Sequence, residues 1–468
     1  MLEDLRGNVR KVAFALLGLL AVLVLYVSYI QVFRSEFLAG HPLNRRATAA
    51  AERVARGLIV DRHGAKLAFS EAGADGKFQR HYPFGPVTAH VVGYSSLRYG
   101  QAGLESTYNG YLSGITNPER RFGPVTGLWQ AKAGNNLTLT LDANLQETAY
   151  RALGNRRGAV VAIAPRTGAV LALVSRPAFD PETLDEDWQA IATAKDSPLL
   201  NRATQGLYPP GSTIKVMVAE AALADKITDE KKTFICEGSL KIGPDYVLNE
   251  SAGRAHGKVD LEEALAVSCN VTFGRLALSL GPKGMAKAFE RYGFARPPES
   301  ELLESASRLP DFGRLGDGDL AQTGIGQGSL LVTPLRMAML ASAFANKGTI
   351  LKPYLVSKIT APDGALIKQF GSAEWATPTN PALAAEVARM MTTVINGGTG
   401  YAARIAGVQV AGKTGTAENP HGASHAWFIG FAPVAAPEIA VAVIVENAGG
   451  GGDVAAPIAR QIIARALR

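Results

Sequence analysis

Only two of the 468 residues are cysteine, Cys236 and Cys269. At most one disulfide can form, its pairing does not follow from sequence, and because Cys269 falls inside a polar motif described below, two free thiols are expected. Charge of one sign is also scarce: 48 Lys and Arg against 41 Asp and Glu leave a formal net charge of +7. An excess this mild gives no case for a nucleic-acid partner and suits work beside anionic membrane or wall polymers. No internal repeat is evident. His421 and His425 stand four apart in a Gly/Asn/Pro-rich loop with no third ligand evident, so no metal is expected. Gly324-Ile325-Gly326-Gln327-Gly328 lacks the preceding strand and glycine spacing of a dinucleotide site and reads as a structural turn. No cofactor is implied.

What is present begins with length and a core. With 47% hydrophobic residues, the chain can fill one large domain and a smaller one. Val12 to Ile30 is almost wholly apolar, and about 20 residues at ~1.5 Å rise cross a hydrocarbon core of ~30 Å. Arg6, Arg10 and Lys11 precede this run and Tyr26 and Tyr29 close it, which predicts a cytoplasmic tail over 1–11, an anchor over 12–33 and everything later outside. A cleaved signal peptide is the alternative, but the run is long for one and no small-x-small site follows closely.

Residues 34–144 are polar and turn-rich and read as a small β-rich module, with a strand ending in a turn over Arg56 to Gly64 and an alternating strand over Leu137 to Leu141. Residues 145–468 form the large domain. Ala159 to Ala164 and Ala169 to Ser175 predict a hairpin around Pro165-Arg166-Thr167-Gly168. From Asp180 to about Asn396 the chain reads as mainly helical, with Thr333 and Pro334 as N-cap and first residue of one helix. Three strands follow, Val408 to Ala417, Ala426 to Phe431 and Ile439 to Glu446, then a helix from Ala456 to Leu467. Strands from both ends of the domain imply one mixed sheet flanked by helices, with an inserted helical lobe: an α+β fold whose site lies at the seam.

Three stretches carry chemistry. In Tyr208-Pro209-Pro210-Gly211-Ser212-Thr213-Ile214-Lys215, the breakers end at Gly211 and Ser212 opens a helix, where unpaired N–H groups and the helix dipole favour negative charge. Lys215 falls on the same face one turn later, within reach of the Ser212 oxygen, as a base beside a nucleophile. Alone, Ser-x-x-Lys is also an ordinary N-cap and a surface lysine. Val267-Ser268-Cys269-Asn270 adds a hydroxyl to relay a proton and an amide to hold a substrate backbone. Gly412-Lys413-Thr414-Gly415-Thr416 adds a cation to favour neutral Lys215, hydroxyls for a terminal carboxylate, and glycines that let a substrate strand lie on the sheet edge.

In order and separation these resemble the S-x-x-K, S-x-N and K-T-G motifs of penicillin-binding proteins and serine β-lactamases. Asn44-Arg45-Arg46, Arg56 to Gly64 and Gly103-Leu104-Glu105 resemble the pedestal of class B penicillin-binding proteins. The resemblance spans nearly the whole chain and implies a peptidoglycan D,D-transpeptidase. Its serine attacks the penultimate D-alanine carbonyl of a stem peptide, and β-lactams acylate the same serine. It implies catalytic Ser212, Lys215 and Ser268, substrate contacts from Asn270, Lys413, Thr414, Gly415 and Thr416, and an oxyanion hole from the N–H groups of Ser212 and Thr416. About 120 residues between anchor and sheet domain are too few for a fused glycosyltransferase, which implies a SEDS-type membrane polymerase as partner. Ser268-Cys269-Asn270 departs from S-D-N at its middle position. Two other readings share the motifs: a membrane-anchored β-lactamase, for which Glu299 to Glu304 offers a deacylating glutamate, and a non-catalytic β-lactam sensor or wall scaffold.

Overall fold

The computed structural model describes residues 2–34, 53–114, 133–244, 246–420 and 422–468. Asn44-Arg45-Arg46 and His421 lie outside the described residues. Helix α1 (Leu2–Phe33) contains a 25-residue apolar stretch, Gly7–Gln31, long enough to cross a membrane. None of that stretch packs inside the protein, as expected of side chains whose solvent is lipid.

The small β-rich module is held by a six-stranded sheet. Its own strands are Ile59–Val60, Lys66–Ala72, Phe78–His81 and Asn136–Leu139, and Val356–Thr360 and Leu366–Gln369 complete it. Val356 pairs with Leu139 and Ile359 with Leu137, so a late segment of the chain is built into the early module. Buried Ile59, Leu67, Leu137, Leu139, Val356 and Ile359 form the core there. Beneath the sheet, Glu105 is fully buried between Arg56 (Nε to Oε2, 2.5 Å) and Arg80 (Nε to Oε1, 2.7 Å). Burial alone would raise the Glu105 pKa, but the two guanidiniums outweigh it and hold the carboxyl below its ordinary value. Glu105→Ala strands both arginines without their counter-ion and should cost about 3–5 kcal/mol. A thermal midpoint unchanged from wild type would refute this role.

In the large domain, the expected elements at both ends are present. Helix α2 (Ala143–Leu153) leads into β1 (Gly158–Ile163) and β2 (Val170–Arg176). The middle, expected to be mainly helical, also carries short strands. Helices α3 (Lys215–Ala224), α4 (Leu261–Ala266), α5 (Asn270–Arg291, broken at Gly281), α6 (Pro334–Ala345) and α7 (Pro381–Asn396) are interrupted by short strands, among them the hairpin Ser239–Ile242 with Tyr246–Asn249. Strands of three or four residues carry too few alternations to register as a period. Thr333 caps α6 as expected, its hydroxyl accepting from the Arg336 N–H at 3.0 Å with Pro334 next in line.

The chain then returns through β3 (Ala411–Ala417), β4 (His425–Ala432) and β5 (Ile439–Val445) to α8 (Ala455–Ala466). The five strands order as β3-β4-β5-β1-β2. Where a mixed sheet was expected, every neighbouring pair is antiparallel, because β1 and β2, β3 and β4, and β4 and β5 follow each other through short turns and β5 meets β1 head to tail. Both faces are covered: Ile458, Ile462 and Ile463 of α8 and Leu145 and Ala149 of α2 pack on one, wholly buried α6 on the other. The edge strand β3 has no neighbouring strand on its outer side among the described residues.

Candidate active site

Ser212 lies in a 3₁₀ turn, Gly211–Ile214, that runs directly into α3, so the helix proper starts at Lys215 rather than at Ser212. The turn is pinned from several sides. Gly211 N–H donates to Gly326 O at 2.9 Å, Trp427 Nε1 to Pro209 O at 3.0 Å, and Thr213 Oγ1 to Pro210 O at 2.6 Å. Tyr208 donates its hydroxyl to Glu446 Oε1 at 2.8 Å, where buried Arg202 also binds. Gly211 has φ +53°, and a Cβ there would lie 2.8 Å from Thr416 O. Only glycine lets the Ser212 turn sit this close to β3.

Lys215 is fully buried and turned towards the second motif. Its Nζ donates to Ser268 O at 2.6 Å, to Asn270 Oδ1 at 2.8 Å and to Ser268 Oγ at 3.4 Å. Among the described residues it makes no hydrogen bond to Ser212. Burial pushes its pKa down to about 8, against the opposing influence of Glu250 and Cys269. Ser268 sits between α4 and α5 with φ +62°, a left-handed conformation that costs a non-glycine residue about 1–3 kcal/mol. The α4 entry is fixed by a capping box between Asp260 and Glu263. Both ends of the Asn270 amide are engaged: Oδ1 by Lys215, and Nδ2 by Asn249 O at 3.0 Å, which leaves one N–H to offer outwards.

Lys413 is also fully buried, donating to Thr414 O at 3.0 Å. Its pKa is held well below the lysine range by burial and then by the charge of Lys215. Burial depresses both lysines, and the repulsion between their charges adds to it. The glycines of the third motif also serve packing within the protein. A Cβ on Gly415 would lie 2.9 Å from Thr213 Cγ2 and 3.0 Å from Pro210 O, and one on Gly412 2.5 Å from the Phe428 ring. They make room for the protein's own Ser212 turn and sheet neighbour. Thr416 is exposed, whereas Thr414 is buried with its hydroxyl 2.6 Å from that of Thr399.

Three features had no sequence signal. Thr399 sits in Gly397-Gly398-Thr399-Gly400, which composition reads only as a loop. Glu250 has no motif, yet its Oε1 accepts from Val271 N–H at 2.7 Å, Cys269 Sγ at 3.1 Å and Cys236 Sγ at 3.4 Å. Burial would raise its pKa, but the N–H donors of Asn270 and Val271 and the Cys269 thiol outweigh it. Cys236 and Cys269 are both buried and unbridged, and burial pushes the Cys269 thiol up to about 12. With His256, these side chains offer four ligand atoms within 4.8 Å of one another, a donor set able to hold a tetrahedral divalent metal. Without one, they close a hydrogen-bond hub under the second motif. His425, weighed above as a ligand, instead accepts the Asn447 N–H at Nδ1, 3.1 Å away, and packs edge-on against Tyr208.

Two of the three glutamates in the acidic stretch that could have supplied a deacylating carboxylate are engaged elsewhere. Glu304 pairs with buried Arg336 at 2.6 Å, and Glu301 accepts the N–H groups of Leu355 and Val356 at 2.6 and 3.0 Å.

Comparison with known proteins follows these lines. The penicillin binding protein transpeptidase domain matches residues 158–464, and the penicillin binding protein A dimerisation domain residues 56–125. The peptidoglycan D,D-transpeptidase PbpA of Mycobacterium tuberculosis is 34% identical, over 99% of both chains. The ceftriaxone acyl-enzyme complex of M. tuberculosis penicillin-binding protein A superimposes with a TM-score of 0.84 at 33% identity, covering 89% of this chain and 99% of that one. Pseudomonas aeruginosa PBP2 in complex with WCK 5153 gives a TM-score of 0.75 at 32% identity, covering 88% and 96%. With its transpeptidase domain matched from β1 to α8 and a full-length relative at this identity, the chain belongs to the penicillin-binding protein transpeptidase family.

Proposed function

We propose that this protein is a peptidoglycan D,D-transpeptidase that cross-links stem peptides through an acyl-enzyme on Ser212 and is inhibited by β-lactams. The observation that carries the reading is the meeting of the three motifs: the Ser212 turn packs against β3, and buried Lys215 is hydrogen-bonded to both Ser268 and Asn270.

The roles follow from proton accounting. As an ammonium, Lys215 fills all three donors. As a neutral amine it keeps the two short bonds, to Ser268 O and Asn270 Oδ1, and gives up the long one to Ser268 Oγ. The freed lone pair then faces the hydroxyls and takes the Ser212 proton as Oγ attacks the carbonyl. Ser268 passes its proton to the leaving amine of the terminal D-alanine and takes one back from the Lys215 ammonium, which restores the neutral amine. The developing oxyanion rests on the N–H groups of Ser212 and Thr416, whose spacing Gly211 secures. Lys413, Thr414, Gly415 and Thr416 line the edge on which the donor peptide lies, and Asn270 directs its remaining N–H to the peptide backbone. An amine from a second stem peptide resolves the acyl-enzyme.

Residues 34–144 serve as pedestal and 145–468 as the transpeptidase domain, held by α1 with the catalytic part outside the cytoplasmic membrane. Arg6, Arg10 and Lys11 ahead of the apolar run support that orientation. A SEDS-type polymerase in the same membrane supplies the glycan strands. Intact mass followed over hours after adding benzylpenicillin tests the chemistry. A single long-lived adduct is expected. A transient adduct with hydrolysed drug accumulating would identify a β-lactamase, and no adduct a non-catalytic protein.

A further inference from the structure

Thr399 belongs to none of the three motifs, yet it stands where two of them meet. The loop carrying it follows α7, and its own N–H donates to Ala266 O at 3.1 Å, two residues ahead of Ser268. On either side, Gly398 and Gly400 N–H groups donate to Val394 O at 3.2 and 3.0 Å. A Cβ on Gly398 would lie 2.4 Å from Ala266 O, so the loop is pressed against the end of α4 with no slack. Its hydroxyl reaches the third motif, 2.6 Å from Thr414 Oγ1.

The two hydroxyls differ in setting: Thr414 is only 5% exposed, whereas Thr399 is exposed. Each hydroxyl owns one proton, and a single proton suffices for the bond between them. The pair therefore keeps one O–H donor in reserve, and among the described residues no other side-chain hydrogen bond claims it. Thr416, two residues on and hence on the same face of β3, adds a third hydroxyl, also exposed. A row of hydroxyl donors fits an acceptor-only anion, and a carboxylate most directly.

Building on the transpeptidase reading, we infer that Thr399 is a further substrate-binding residue: with Thr414 it forms a hydroxyl pair that binds the terminal carboxylate of the donor stem peptide, and the equivalent carboxylate of a β-lactam. The pair ties carboxylate binding to the Ser268 loop through Ala266, so the second and third motifs are set by one bound group.

The test compares Thr399→Val, which keeps shape and removes the hydroxyl, with Thr399→Ser, which keeps the hydroxyl. Acylation of the full chain is measured with benzylpenicillin and with its methyl ester, which lacks the carboxylate. Thr399→Val should lower the second-order acylation constant for benzylpenicillin by about tenfold or more, the worth of a hydrogen bond to a charged group. The loss should appear in the non-covalent binding step, Thr399→Ser should restore the constant to within about twofold, and the ester should react equally with all three proteins. Equal rates for Thr399→Val and wild type with benzylpenicillin would overturn the inference, as would an equal loss with acid and ester, or failure of serine to rescue. Wild type that is not acylated at all would instead overturn the transpeptidase reading, and this inference with it.

Discussion

Ser212→Ala is expected to abolish the benzylpenicillin adduct while the thermal midpoint stays near wild type, because a half-buried hydroxyl with no hydrogen bond among the described residues is lost. Lys215→Met should leave the nucleophile in place yet slow acylation by about 10²–10⁴-fold, the usual worth of a positioned general base. The pH dependence separates the two roles. Burial holds the Lys215 pKa down at about 8, so below that pH the amine is mostly charged and cannot accept the serine proton. Acylation by wild type should rise about tenfold per pH unit up to about 8 and then level off, and in Lys215→Met that rise should vanish. Glu250 raises the Lys215 pKa, so Glu250→Gln should move the rising limb to lower pH. Stopped-flow acylation from pH 6 to 9.5 measures all three. A wild-type rate independent of pH across that range would remove Lys215 as the base.

The legible parts of this chain were those written in one place. The β1–β2 hairpin, β5 and α8 show as continuous or periodic apolar runs because both faces of the sheet are covered, and the S-x-x-K, S-x-N and K-T-G stretches show as motifs. What stayed hidden depends on partners far away in sequence. Val356 pairs with Leu139 across more than two hundred residues, so nothing local to 356–369 marks it as part of the six-stranded sheet. Glu250 meets Cys269 and Val271 only after the hairpin folds back, and Thr399 meets Thr414 only once α7 packs beside β3. The glycines of the third motif were visible, but the close approach of Thr213, Pro210 and Phe428 to them was not, since those atoms come from elsewhere in the sequence. The repulsion between the two lysines could be read from the motifs, whereas the full burial of both could not.

Gly326→Ala should be severely damaging although it lies outside the three motifs. Gly326 has φ +78°, which alanine adopts only under strain, and its Cβ would fall 2.0 Å from Gly211 O and 2.8 Å from Gly211 N. Both of those atoms are backbone, so no side-chain rotation relieves the clash. Gly211 in turn has no room to retreat, being set against Thr416 O across the seam. The strain must therefore displace the Ser212 turn relative to β3, which moves the nucleophile and one oxyanion donor away from the other. A shift of about 1 Å at the reacting centre costs on the order of 100-fold in rate. Acylation by benzylpenicillin in Gly326→Ala should fall at least that far, with the pH profile keeping its wild-type shape because Lys215 and its partners on the Ser268 loop are untouched. Circular dichroism and thermal unfolding report whether the fold persists. Wild-type acylation in a folded Gly326→Ala protein would show that the glycine-rich turn merely fills space, and that the Gly326–Gly211–Thr416 stack does not set the geometry of the nucleophile.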